Sequence, residues 1–208
     1  MDTTALYDAR TELLDFAIDA FGDVPSAEFL SEVRAGVTVP DDEVSPSLDA
    51  GFDALERFVQ ENADRPVDDL QDELTTEYTR LFVGPRPVVV AHETHYRDDT
   101  EFIGEGLADV EEAYAAAGWK PPEDYPEEND FVAVELGFLR NLVRRQRDGQ
   151  EEAFGYERVF LDEHLLTWVD DLAADVREET DEDLYLAAAG VAEGLVAFED
   201  ELAAQMVS

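Results

Sequence analysis

The sequence predicts an all-α protein, a helical bundle forming a single domain over residues 1–208. Three observations carry that expectation. Large apolar residues recur at i, i+3, i+4 and i+7 in nearly every segment. Pro25, Pro46, Pro66 and the pair Gly84-Pro85 fall where such segments start or stop. No internal repeat or low-complexity tract interrupts the pattern.

In chain order, Leu6, Leu13, Leu14, Ala17, Ile18 and Phe21 form the apolar face of a first helix. "SAEFLSEV" follows as a short helix, with Ser26 as its N-cap. A third runs from Pro46 to about Asn62, placing Phe52, Leu55, Phe58 and Val59 on one face. Pro66 opens a fourth, striped by Leu70, Leu74, Tyr78, Leu81 and Phe82, and Gly84-Pro85 ends it because proline cannot continue a helix. Residues 84–97 are non-helical, with "PVVVA" as a short strand. A fifth helix is expected from Asp99 to Ala117, stopping at Gly118. The acidic, Pro-rich loop "WKPPEDYPEEND" leads to a sixth, from Asn129 to Arg147 with Asn129 or Asp130 as N-cap. Two long helices, near 151–178 and 181–205, complete the chain.

Composition bounds the chemistry. Asp plus Glu number 53 against 14 Lys plus Arg, a net charge of −39, and Lys120 is the chain's one lysine. That excess would suggest disorder, yet 45% of the residues are apolar and periodically placed, so the acid belongs on the surface of a folded chain. A carboxylate coat of this density is expected of a protein adapted to a salt-rich, halophilic cytoplasm. Nucleic acid is a poor partner, because binding it relies on counterion release by Lys and Arg. The absence of cysteine excludes disulfides, thiolate metal sites and thiol nucleophiles. No apolar run is long enough to span a bilayer and the first residues lack a signal-peptide pattern, so a cytoplasmic location is expected.

The stretch "AHETHY" carries two of the three histidines. His92 and His95 are not spaced as in H-E-x-x-H, where an i, i+4 pair converges on one zinc. A metal-dependent hydrolase would have to recruit His164 or a distant carboxylate. Glu135 stands out on the sixth helix, since its neighbours at ±3 and ±4 are Phe131, Val132, Phe138 and Leu139. A carboxylate there is expected either to pair with one of the scarce arginines or to sit at the rim of a cleft. Phe160, His164 and Trp168 follow at successive i+4 steps, a stripe expected in the core. No nucleophile with its base, no phosphate loop and no diagnostic acid pair is visible, so spacing alone disfavours an enzyme without excluding one.

Taken together, "EYTRLFVGP", "ETHY", "NDFVAVELGFLRNL" and "FLDEHLLTW" resemble, in order and spacing, the TorD/DmsD/NarJ family of all-helical chaperones for molybdoenzymes. The N-terminal "LYDARTELLDFAIDAFGDVPSAEFL" extends the likeness across nearly the whole chain. The resemblance implies a TorD-like bundle with no catalytic residues and no cofactor of its own. It implies a cytoplasmic protein that binds the twin-arginine signal peptide, or the apo-catalytic subunit, of a molybdopterin oxidoreductase of the dimethyl sulfoxide or trimethylamine oxide reductase type. A nitrate reductase delta-type assembly chaperone is the alternative, and both monomers and exchanged dimers are expected. The family's Leu-Phe-x-Gly-Pro segment stands as Leu81, Phe82, Gly84 and Pro85. Its Glu-Ser-x-Tyr-like turn stands as Glu93, Thr94 and Tyr96, and its His-Leu-x-x-Trp element as His164, Leu165 and Trp168. Of Pro-x-Asp-His only Asp130 survives, with Phe131 where the histidine is expected, followed by Glu135 and Leu136. On this resemblance Tyr78, Phe82, Tyr96 and Phe131 supply an apolar groove beside Glu93, Asp130 and Glu135.

Overall fold

The computed structural model describes residues 3–36, 43–84, 86–97, 105–122 and 125–206. Among the described residues ten α-helices follow in order: α1 (Thr3–Gly22), α2 (Ala27–Ala35), α3 (Pro46–Asn62), α4 (Val67–Phe82), α5 (Glu93–Tyr96), α6 (Glu105–Ala116), α7 (Val132–Arg147), α8 (Glu152–Glu163), α9 (Val169–Glu179) and α10 (Asp183–Met206). A single 3₁₀ turn, Leu165–Thr167, separates α8 from α9.

The bundle is built around α10. Its sequence "LYLAAAGVAEGLVAF" is apolar on every side, which fits a helix surrounded by neighbours rather than one lying on a surface. It packs against α3, α1, α9 and α8, and α1 packs on α7. The closest approach is to α3, where Gly190 meets Gly51 backbone to backbone and Gly194 leaves room for Leu48. Buried residues from α1–α4 and α6–α10 form one continuous apolar core. Ser26 and Ser45 cap α2 and α3 by accepting from the backbone N–H groups of Phe29 and Leu48, at 3.0 and 3.3 Å. Among the described residues no helix is long and apolar enough to cross a membrane.

Four expectations change. Residues 93–96 form a helical turn, where periodicity predicted non-helical chain and the family resemblance a turn. "PVVVA" makes no strand: among the described residues the sole β-type pairing is an isolated antiparallel bridge between His92 and Phe131. The long helix expected over 151–178 is broken at His164, whose backbone (φ −128°, ψ −94°) leaves the helical region. The helix expected from Asn129 begins instead at Val132, after an extended Phe131. The part of the fifth helix expected over 99–104, and Pro85, lie outside the described residues.

Candidate functional site

Hydrogen bonds between distant segments explain these departures. The segment after α4 folds back, with Val89 N–H donating to Leu81 O at 2.9 Å. It then runs beside the start of α7: Val132 N–H donates to Ala91 O at 2.9 Å, and Glu93 N–H to Asp130 O at 3.0 Å. One of α7's free N-terminal donors is thereby satisfied by the chain before α5 rather than by a side-chain cap. Asp130 is released to act elsewhere. Its buried carboxylate accepts from the Thr94 hydroxyl at 2.6 Å and the Thr94 N–H at 3.3 Å, and meets His92 Nδ1 at 2.9 Å. Asp130 therefore holds the first turn of α5, not that of α7.

Burial on its own would push Asp130 up, but the hydrogen bonds from His92 and Thr94 outweigh it and hold the carboxyl below its ordinary value. Burial likewise opposes the charge on His92. The bond to Asp130 and the nearby Asp130, Glu127 and Glu128 carboxylates override it and raise the imidazole.

Deeper still lies a pair of carboxyls. Glu93 and Glu135 are both fully buried. Glu93 meets His164 Nδ1 at 3.0 Å and accepts from Arg97 at 3.0 Å. Glu135 has no arginine. Trp168 Nε1–H donates to its Oε2 at 3.4 Å, while Oε1 receives no donor. Burial first, and the charge of Glu93 second, raise the Glu135 carboxyl well above its ordinary value. Among the described residues Glu135 has no ion-pair partner, and it lies inside the core rather than at a rim. The pull of Glu93 on His164 accounts for the break between α8 and α9. A continuous helix would keep that residue on the helical path, away from a partner 71 positions earlier.

Around this network the residues expected from the sequence separate by exposure. Tyr78 and Leu81 are core, with the Tyr78 hydroxyl donating to Phe21 O at 2.8 Å. Phe82 is half-buried, its ring edge-on to Phe21 and Tyr185. Gly84 is exposed, at φ +112°, a conformation that favours glycine. Tyr96, half-buried, stacks on the buried Trp168 with centroids 5.5 Å apart and donates to Asp175 at 2.9 Å. Phe131 is buried between His92 and Tyr125. These side chains do not line one open groove. The three histidines do not converge either: His92 is held by Asp130 and His164 by Glu93, while His95 stands edge-on to Tyr96. Among the described residues no three His, Asp or Glu form a group able to hold a metal.

An open groove of about 500 Å³ does exist, on the other side of Phe131. Its walls are α1 and α7, and the loop after α6 closes it with Trp119, Lys120, Pro122 and Tyr125. The Tyr125 hydroxyl pins the loop by donating to Gly22 O at 2.9 Å. Sequence reasoning missed this feature, treating residues 119–130 as a connecting loop. Its signals were the lone lysine and Gly137, a glycine in the middle of a helix.

Comparison with known proteins follows the same span. Residues 41–174 match the family model described as "Nitrate reductase delta subunit", well over half of the chain. The chain belongs to this family. It is also similar to proteins named "Chaperone protein TorD". That of Vibrio atlanticus is 27% identical over 81% of this chain and 82% of its own length, and that of Vibrio parahaemolyticus 26% over 90% and 84%. No solved structure matches the chain significantly. The family model spans α3 to α9, and so takes in both the buried acid network and the α7 wall of the groove.

Proposed function

We propose that this family member is a non-catalytic maturation chaperone for a molybdopterin oxidoreductase, acting in the cytoplasm on the twin-arginine signal peptide of its client before export. The observation that carries the reading is the similarity to TorD chaperones over more than four-fifths of both chains. The all-helical core and the absence of a nucleophile–base pair in the sequence agree with a binding protein.

Within this reading the site residues divide by reach. Phe82, Gly84, Thr94 and Tyr96 retain exposure and can touch a client; Pro85 belongs with them by sequence. Glu93, Asp130, Phe131, Glu135, His164 and Trp168 act behind them, holding α5 and the 86–92 segment against α7. Tyr78 and Leu81 anchor the end of α4.

The second reading, a chaperone of the mature catalytic subunit, is favoured by the description of the matching family as nitrate reductase delta subunit. Calorimetric titration in molar potassium chloride separates the two. Signal peptides of molybdoenzymes from the same genome are titrated into the protein, alongside versions with the arginine pair replaced or the apolar stretch scrambled. Binding lost on scrambling supports the signal-peptide chaperone. Binding only to the mature apo-subunit supports the second reading, and binding to neither removes both. Sedimentation of the same samples reports monomer against exchanged dimer.

A further inference from the structure

We propose that the cavity where the end of α5 meets α6 and α8 is a binding site for a primary ammonium group on an aliphatic stem, with His164 as the acceptor at its base. The inference goes beyond the chaperone reading and does not depend on it.

His164 carries the argument. It is 2% exposed, and its Nδ1 faces the two carboxylate oxygens of Glu93 at 3.0 and 3.1 Å. A carboxylate only accepts, so Nδ1 holds the proton and Nε2 of the neutral ring keeps a free lone pair. Among the described residues Nε2 has no hydrogen-bond partner, yet it is not sealed off as Glu135 Oε1 is. His164 lines a cavity of about 530 Å³, and Nε2 is its open edge there. A buried acceptor, oriented from behind by Glu93, thus faces space from which the chain supplies no donor.

The surroundings define that donor. Asp109, Glu112 and Glu163 line the same cavity against one base, Arg97. Arg97 is committed to Glu93 and Asp109, at 3.0 and 3.3 Å. Among the described residues no base pairs with Glu112 or Glu163. The donor is therefore cationic. Acids alone would not set this place apart on so acidic a chain; the enclosed imidazole and an apolar wall do. The wall is Val159, 51% exposed, with Ala113 and Ala116. An alkyl stem on apolar surface with a charged head beyond it is how a lysine side chain places itself. An ammonium also fits better than a guanidinium. Its three donors rotate freely to meet one nitrogen and separate carboxylates, whereas the planar fork of a guanidinium is matched to paired oxygens.

Occupancy is felt by α5. A cation at Nε2 draws density from the ring and strengthens the Nδ1–H bond to Glu93, as it does when an imidazole holds a metal. Glu93 is the first residue of α5, so the site acts on the turn that carries Thr94 and Tyr96.

The test is nuclear magnetic resonance of the full chain in molar potassium chloride, where a screening length of about 3 Å removes long-range attraction to the acidic surface. The chain has three histidines, so their ring nitrogens are assigned by difference from His92→Gln and His95→Gln. N-acetyl-lysine amide is titrated beside its uncharged counterpart N-acetyl-norleucine amide, N-acetyl-arginine amide and free pentylamine. The lysine derivative is expected to shift the His164 Nε2 resonance saturably, the arginine derivative to bind at least about tenfold more weakly, and norleucine to leave the resonance in place. Val159→Lys, which tethers an ammonium at the wall, is expected to abolish the titration while melting at or above wild type. Val44→Lys, at an exposed valine elsewhere, is expected to leave it unchanged. Glu112→Gln with Glu163→Gln is expected to weaken it at least about tenfold. No saturable shift, an equal shift with norleucine, or wild-type binding by Val159→Lys overturns the site. Tighter binding of the arginine derivative overturns the assignment to an ammonium. Both remaining outcomes support the site and name its source: a lysine derivative tighter than pentylamine points to a side chain of a partner protein, and the reverse to a free amine.

Discussion

At the scale of single residues the unusual group is Glu135, a buried acid whose neighbours are another acid and an indole N–H. Its folded-state value is raised, so its contribution to stability is present at low pH and is lost as pH rises through that value. Glutamine reproduces the protonated shape, with an N–H for Glu93 and an oxygen for Trp168, and cannot ionise. Glu135→Gln is therefore expected to melt at or above wild type at neutral pH and to show a shallower decline on the alkaline side. Glu135→Ala leaves Trp168 and Glu93 without their partner and opens a cavity, for an expected loss of about 2–4 kcal/mol. Thermal melts of both variants across pH at fixed molar salt decide the matter; a Gln variant that melts well below wild type would show that Glu135 is charged in the fold. The sequence marked Glu135 as anomalous through its apolar neighbours at ±3 and ±4. It could not name the partner, because Glu93 arrives from a different element 42 positions away.

Between elements, two devices set the geometry of the bundle. Arg10 on α1 is buried, donating to Glu199 on α10, to Gln146 on α7 at 3.0 Å and to Glu157 on α8 at 3.3 Å, so one guanidinium ties four helices. Burial, then the charge of Glu199, push Glu157 up to about 8 against the pull of Arg10. The sign is that of a raised carboxyl: stability falls as pH climbs from the carboxylate range through about 8. Glu157→Gln is expected to remove that part of the alkaline decline, and Arg10→Ala to cost about 3–5 kcal/mol by stranding buried carboxyls. Denaturant titrations at neutral pH and above pH 8 read both effects. The second device is the α3–α10 contact. A Cβ on Gly190 would lie 2.7 Å from Gly51 Cα and 2.9 Å from Ser47 O, so backbone rather than a movable side chain must yield. Gly190→Ala is expected to destabilise by about 1–3 kcal/mol or more, despite alanine's better helix propensity, and a variant as stable as wild type would mean the two helices are not in register there. Helix existence and the caps at Ser26 and Ser45 were legible because their causes lie within a few residues. The start of α7 and the break at His164 were not. Local capping rules favoured Asp130, and the i+4 stripe of Phe160, His164 and Trp168 favoured a continuous helix; Thr94 and Glu93 overrode them from 36 and 71 positions away.

For the whole molecule the governing quantity is a net charge of −39 on 208 residues. The apolar core and helical class were legible from periodicity alone, but the groove was not, since its walls come from segments more than a hundred residues apart in sequence. That charge dictates how stability responds to salt. Many acids recur four apart on one helix face, as in Asp68 and Asp72, Asp69 and Glu73, and Asp171 and Asp175, where side chains lie about 5–6 Å from one another. At 0.1 M salt the screening length is about 10 Å, longer than those separations, so repulsion between neighbours persists; at 1 M it is about 3 Å, shorter than them. The melting temperature is therefore expected to rise with potassium chloride well beyond the 0.1–0.15 M range in which long-range screening is already substantial, and to level off only near molar concentration. A plateau reached by about 0.15 M would instead assign the effect to long-range charge alone. No dependence on salt at all would mean that the surface carboxylates are too well spaced to strain the fold. Calorimetric scans in a potassium chloride series distinguish the three shapes.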